Sequence, residues 1–129
     1  MKKTKLLLTA IIVILLALTS CSLIDQLKEN SEKATAFSEA SGTYYAYDYM
    51  NDVFYPEGSS EYHKLIVYSG GDGYLDGKSI KEIDYLGTSE LGYKFAFKLN
   101  GTRYEFQYST SGKNILFTAG LNCLMEEKH

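Results

Sequence analysis

One segment constrains the fold of this chain most: residues 93–108, YKFAFKLNGTRYEFQY. Its centre, Asn100-Gly101, is a strong signal for a type I′ hairpin turn, because that turn needs positive φ at both central residues. With these two residues as the loop, alternate residues of the paired strands share a face. One face then carries Thr102 and a run of large apolar or aromatic side chains: Tyr93, Phe95, Phe97, Leu99, Tyr104, Phe106 and Tyr108. The sequence therefore predicts an antiparallel hairpin with one dry face.

Shorter segments on both sides of this hairpin alternate in the same way. They predict strands over residues 43–50, 61–69, 79–87 and 114–120, separated by turn-forming residues. The loops are too short for crossover helices, so the strands should form an antiparallel meander. We predict a mainly β fold of six to eight strands. We expect it to be closed or partly closed as a barrel, because an open meander leaves unpaired edges.

The chain begins with the pattern of a secretory signal peptide. Three lysines in the first five residues precede an apolar run, residues 6–18. That run is shorter than the roughly 20 residues that span a bilayer. It ends in LTSC, residues 18–21, which resembles the lipobox of bacterial lipoproteins. The resemblance implies cleavage between Ser20 and Cys21 and a diacylglyceryl group on the Cys21 thiol. The alternatives are an ordinary signal peptide with a chance cysteine, or an uncleaved anchor.

This interpretation divides the chain into three segments. Residues 1–20 are the signal peptide, residues 21–41 are the lipidated cysteine with a tether or short helix, and residues 42–129 are the barrel-like domain. Two or three acyl chains hold a protein on a bilayer far better than one. We therefore expect a lipid-anchored protein on the extracytoplasmic face of the cell membrane, with the membrane as its partner through this anchor.

Charge makes nucleic acid an improbable partner. The chain has 13 basic and 16 acidic residues and a formal net charge of −3, and removal of the signal peptide takes three lysines away. Contacts to phosphate dominate nucleic-acid affinity, and an acidic chain supplies few of them. We expect no nucleic acid, and a small ligand or an envelope protein that the sequence does not identify.

Chemistry-bearing residues form no recognisable motif. His63 lies in a predicted strand and His129 is the last residue, so the three or four ligands of a zinc site are not assembled. The glycine-rich segment from Asp72 lacks the oxygen ligands of a calcium loop at the required positions. Catalysis would need His63 beside a hydroxyl or a carboxylate. Cys123 is either a reactive thiol or a small packed residue. We predict no catalytic residues, no metal and no cofactor.

The 12 tyrosines give the remaining functional signal, since tyrosine combines a large contact area with a polar group. One hypothesis is a cavity for a small apolar or amphipathic ligand. Its wall would be the dry face of the hairpin: Tyr93, Phe95, Phe97, Tyr104, Phe106 and Tyr108. The alternative is a cell-surface module that presents Tyr45, Tyr47 and Tyr49, which share one face of the first strand, to a protein or glycan.

The start of the barrel-like domain also resembles that of small lipocalin-like lipoproteins of bacteria. Gly42-Thr43-Tyr44 follows a segment that could cap one end of a barrel and precedes a meander of hairpins. The resemblance implies that Tyr44 points inward, in the place of a tryptophan. The apolar pattern of the strand instead favours the face of Tyr45 and Tyr47 as the inner one. Tyr44 and the face of Tyr45 and Tyr47 cannot both point inward, and the position of Asp48 distinguishes the two orientations.

Overall fold

Ten strands and one helix make up residues 27–128, the part of the chain that this computed structural model describes. The helix, α1, covers residues 27–40. The strands are β1 (Gly42–Asp48), β2 (Val53–Phe54), β3 (Lys64–Val67), β4 (Gly73–Leu75), β5 (Lys78–Ile80), β6 (Asp84–Thr88), β7 (Gly92–Leu99), β8 (Thr102–Ser109), β9 (Asn114–Ala119) and β10 (Leu124–Glu127). The predicted signal peptide, Ser20 and Cys21 lie outside the described residues.

Contacts divide the chain into two compact units, one that ends at Glu32 and one that begins at Lys33. All ten strands and residues 33–40 of α1 belong to the second unit. Of the first unit, the structure describes helical residues 27–32. Over residues 27–128, no helix combines the length and the apolar character that crossing a membrane would take.

The strands form one antiparallel sheet in the order β5-β4-β3-β1-β10-β9-β8-β7-β6, and β2 pairs with the end of β1. The first and last strands are neighbours, since Ala46 pairs with Met125. The two edge strands, β5 and β6, follow each other in the chain. The sheet is therefore a meander that curls into a partly closed barrel with a seam between β5 and β6, which confirms the predicted fold class.

The central hairpin has the predicted register. Phe95 pairs with Phe106 and Leu99 pairs with Thr102 across β7 and β8. Asn100 and Gly101 have φ angles of 52° and 79°, as a type I′ turn requires. Local turn chemistry and the long-range burial pattern agree over this segment, which is why the sequence determines its register.

The strand predicted over residues 79–87 was wrong, because that segment contains two strands, β5 and β6, at opposite edges of the sheet. Ile83 interrupts it: its side chain is buried, and its N–H donates to the Gly71 carbonyl over 2.7 Å instead of joining a ladder. The strand number is also higher than predicted. The short strands β2, β4 and β10 were not predicted from the sequence.

The core lies inside the curled sheet and is capped at one end by α1. Ala36, Phe37 and Ala40 are buried, and the Phe37 ring lies 5.0 Å from that of Phe95, centroid to centroid. Ala34, on another face of the same helix, is exposed. The remaining buried core side chains come from the sheet and the loop before β6: Tyr44, Leu65, Val67, Leu75, Ile80, Ile83, Phe97, Phe106, Tyr108, Ile115, Phe117 and Met125. The cap therefore covers the end where β1 and β7 begin.

Candidate functional site

The hairpin aromatics that were predicted to line a ligand cavity belong to this core. Phe95, Phe97, Phe106 and Tyr108 are buried, and Tyr93 and Tyr104 are partly buried against them. The rings stack across the hairpin, with centroids 5.1 Å apart for Phe95 and Phe106 and 4.9 Å apart for Phe97 and Tyr104. The structure gives these rings a packing role, and their assignment as ligand-binding residues stays a prediction.

The three tyrosines predicted to form a surface lie on or next to the outer face of β1. Tyr45 and Tyr47 are half-buried, and Tyr49 is 71 % exposed in the turn that follows. Tyr44 points inward instead, as the lipocalin-like pattern implies, so the apolar pattern of this strand misassigned its faces. Asp48 lies on the same face of β1 as Tyr44, but it is not buried in the core because β1 ends at this residue.

At the end of the sheet away from α1, the chain forms a cavity of about 620 Å³ that we call the end cleft. It lies where β1 ends, β3 begins and β9 turns into β10. Its lining combines aromatic, aliphatic and polar side chains: Tyr47, Asp48, Tyr49, Met50, Tyr55, Ser60, Glu61, His63, Leu116, Leu121, Asn122, Cys123 and Leu124. This size is in the usual range for small-molecule sites, which are mostly apolar with a few fixed polar groups.

One wall of the end cleft is apolar because of strand register. Tyr47 pairs with Leu124, and Leu124 pairs with Leu116, so these three side chains form a row across β1, β10 and β9 on the outer face. Leu116 is 38 % exposed although it sits in the middle of a strand. Leu121, in the β9–β10 loop, adds a second apolar contact surface.

His63 contributes a polar side chain to the lining and is hydrogen-bonded to the Asp76 carboxylate. The Nδ1 of His63 lies 2.7 Å from Oδ2 of Asp76, and the other carboxylate oxygen accepts the Lys64 N–H over 2.8 Å. The His63 carbonyl accepts the Ala46 N–H over 2.9 Å, so both the backbone and the ring of His63 are fixed. His63 therefore lies beside a carboxylate and lines a cleft, which is the arrangement that catalysis was expected to need.

The thiol that shares this cleft is poorly suited to act as a nucleophile. Burial, and then the nearby Asp76 carboxylate, raise the pKa of Cys123 to about 11. The thiol is therefore protonated at neutral pH, whereas the thiolate is the nucleophilic form. Cys123 is half-buried and packs against the core. It lies in the end cleft as a small, half-buried wall residue.

The mouth of the end cleft carries fixed negative charge. Asp48 accepts hydrogen bonds from the Met50 N–H, the Asn51 N–H and the Asn51 side-chain amide, which lie 3.2, 3.3 and 2.7 Å away. The hydrogen bond from the Asn51 side-chain amide makes the largest contribution to lowering the pKa of Asp48, so this carboxylate is ionised at neutral pH. Burial, then Asp48 and Glu61, raise the pKa of the Tyr55 phenol. A neutral phenol therefore stands beside two carboxylates.

A second surface, which we call the basic tyrosine face, adjoins the end cleft on the outside of β1. It consists of Tyr45, Phe54, Tyr62, Lys64 and Lys128 and borders a hollow of about 330 Å³. The Lys64 and Lys128 ammonium groups lie 5.7 and 5.5 Å from the centroid of the Tyr45 ring. Tyr55 lines both this hollow and the end cleft. The hollow is lined by two lysines and one carboxylate, Glu57, whereas Asp48 and Glu61 line the end cleft, and the two aromatic surfaces share Tyr55.

Tyr47, Tyr49 and His63 of the end cleft were singled out from the sequence, whereas Tyr55, the leucines around Cys123 and the Asp76 partner of His63 were not. One signal could have placed Asp76 beside His63. Asp76-Gly77 is a hairpin dipeptide, and its φ angles of 51° and 81° form a type I′ turn between β4 and β5. The turn places the Asp76 carboxylate at the start of β3, beside His63. The leucines could not be found in this way, because their place in the end cleft depends on the register in which β10 pairs with β1 and β9.

Comparison with known proteins returns no relative: no family model, no curated protein and no solved structure matches this chain.

Proposed function

We propose that this protein is a lipoprotein anchored through Cys21 to the extracytoplasmic face of the cell membrane, where it binds a small amphipathic ligand in the end cleft. The observation that supports the binding role most is the composition of this cavity. Leucine and tyrosine side chains combine in its lining with Asp48, Glu61 and His63, and His63 is hydrogen-bonded to Asp76. A ligand with both apolar and polar parts would contact both kinds of lining residue.

The anchor is supported by the LTSC sequence at residues 18–21 and the basic and apolar segments before it. Intact-mass analysis of the native protein tests it. We expect a chain that begins at Cys21 with diacylglycerol on its sulfur. Cys21→Ser should abolish the lipid mass and move the protein out of the membrane fraction. An unacylated chain with its leader intact would refute the anchor.

Native mass spectrometry of the full-length protein, isolated from its own cells in mild detergent, tests the ligand. We expect a bound small molecule on the unmodified protein. Ser60→Trp should displace it, because Ser60 is exposed at the wall of the end cleft and an indole there would occupy part of the cavity. Ser111→Trp is the matched control, since Ser111 is exposed in the β8–β9 turn. A bound mass that Ser60→Trp leaves in place would argue against this cavity.

A second candidate function is binding of an acidic glycan or protein to the basic tyrosine face. The supporting observation is that two ammonium groups flank one half-buried aromatic cluster, since Lys128 also lies 5.4 Å from the Phe54 ring centroid. Aromatic faces pack against sugar rings or apolar side chains, and lysines attract carboxylates and phosphates.

Co-sedimentation with isolated cell envelope tests this alternative. The double variant Lys64→Gln, Lys128→Gln should lower the bound fraction and its sensitivity to salt. Lys98→Gln is the control, because Lys98 is exposed on β7. Equal binding by the two variants would remove the basic tyrosine face as the contact.

A further inference from the structure

The end cleft has an asymmetric charge that narrows the class of ligand. Among the described residues that line it, the charged side chains are Asp48 and Glu61, and no lysine or arginine is present. His63, the one remaining basic group of the lining, is paired with the Asp76 carboxylate. An anionic group that entered this cavity would meet carboxylates without a compensating cation. A cationic group would be attracted by them.

The aromatic lining favours the same sign of charge. Tyr47, Tyr49 and Tyr55 come from the end of β1 and from the loop after β2, and they meet in the end cleft. Ring faces carry partial negative charge and attract ammonium groups within about 6 Å of the centroid, and quaternary ammonium ions are bound by aromatic cages in this way. Tyr55 lies close enough to Asp48 and Glu61 for both carboxylates to act on its phenol.

The same protein already uses this contact next to the cleft. On the basic tyrosine face, two lysine ammonium groups lie over the Tyr45 ring, at 5.7 and 5.5 Å. Tyr47 is the next outward residue of β1, and its own side chain borders the end cleft. Both tyrosines lie on the outer face of β1, but the described residues that line the end cleft supply the carboxylates of Asp48 and Glu61 where the neighbouring face supplies lysines.

We infer that the end cleft binds an organic ammonium ion, with its charged head among Tyr47, Tyr49 and Tyr55 and its apolar substituent along Leu116, Leu121 and Leu124. This inference rests on the proposed ligand-binding role and specifies the ligand class. The leucine row lies on the outer face beside the rings, so a head group and a short alkyl chain occupy adjacent parts of one cavity. Asp48 and Glu61 neutralise the head.

Titration calorimetry with three soluble probes of equal chain length tests the inference. The probes are hexyltrimethylammonium, hexan-1-ol and hexyl sulfate, and the protein is the full chain in detergent micelles with a blank titration into micelles alone. We expect the ammonium probe to bind about tenfold more tightly than the alcohol and the sulfate to bind most weakly. Equal affinity for the ammonium and the alcohol, or a preference for the sulfate, would overturn the inference.

Variants of exposed residues separate charge from shape. Tyr49→Ala and Glu61→Gln should each weaken hexyltrimethylammonium severalfold, while hexan-1-ol affinity changes little with Glu61→Gln. Glu90→Gln is the matched control, because Glu90 is exposed in the β6–β7 loop. If Glu61→Gln and Glu90→Gln behave alike, the carboxylate does not select the ligand and the inference fails.

Failure of this inference is distinguishable from failure of the proposed function. If Ser60→Trp abolishes binding of hexan-1-ol and of the ammonium probe, and the two bind equally, the end cleft is a binding site but not one for cations. If Ser60→Trp changes neither titration, the end cleft is not a binding site, and both proposals fall.

Discussion

At the scale of single residues, Tyr44 links the helix to the sheet. Its hydroxyl donates to the Ala40 carbonyl over 2.7 Å, and both residues are buried. A helix leaves its last carbonyls without intrahelical partners, and a buried one must be satisfied in another way. The inward tyrosine therefore both fills the core and satisfies the end of α1. An aromatic ring without a hydroxyl would do only the first.

Tyr44→Phe should lower the free energy of unfolding by about 1–2 kcal/mol, because it leaves the buried Ala40 carbonyl without its donor. Urea denaturation followed by circular dichroism measures this loss. Tyr68→Phe is the control, since Tyr68 is 45 % exposed and should change stability by less than about 0.5 kcal/mol. An equal effect of the two substitutions would contradict the role of the Tyr44 hydroxyl.

The same hydroxyl should make the protein sensitive to alkali. Burial, and then the neighbouring Tyr108 and Glu127, raise the pKa of Tyr44 above its ordinary value. Above about pH 10 the unfolded chain loses this proton while the folded chain keeps it, so stability present below that pH is lost as pH rises. The loss from this residue approaches about 1.4 kcal/mol per pH unit. Between pH 9 and 11 the free energy of unfolding should decline less steeply for Tyr44→Phe than for the unmodified protein. Parallel declines would contradict the assignment to Tyr44.

At the scale of elements, a strand could be predicted from the sequence where its turn residues and its apolar alternation indicated the same register. The β7–β8 hairpin was predictable because Asn100-Gly101 and the alternation of aromatic residues give one register. β4 was not, because Gly73 reads as part of a turn although it pairs with Val67 inside the sheet. The end cleft was only partly predictable, since Tyr47 and Tyr49 belong to a patterned strand whereas Leu121 and Cys123 lie in a connection without a periodic pattern.

Gly73 is the residue that lets β4 pack closely against β3. A Cβ at this position would collide with the carbonyl oxygen of Ile66, which is backbone and cannot turn aside. Gly73→Ala should therefore cost about 2–3 kcal/mol, the usual range for overpacking. Gly70→Ala, in the loop between β3 and β4, is the control, because its Cβ would meet only the Asp72 side chain at 3.5 Å. Thermal unfolding measures both, and equal midpoints would refute the close approach.

At the scale of the molecule, the contacts of the helical cap and the candidate site lie at opposite ends of the sheet. Ala36, Phe37 and Ala40 close the end where β1 begins, while the end cleft lies where β1 finishes. Buried aromatic rings, Phe95, Phe97, Phe106 and Phe117, pack in the core between these two ends. The protein can therefore present an open cavity at one end without weakening the contacts that close the other.

This separation predicts that loss of the cap lowers stability without changing ligand affinity. Phe37→Ala removes a ring that is 2 % exposed and should cost about 3–5 kcal/mol in urea denaturation. Ala34→Ser, on the exposed side of the same helix, should cost less than about 1 kcal/mol. Below the unfolding transition, Phe37→Ala should bind hexyltrimethylammonium as the unmodified protein does, because substitutions at distant sites act independently. A parallel loss of affinity and stability would mean that the cap also shapes the end cleft, and the two ends would then have to be treated as one coupled structure.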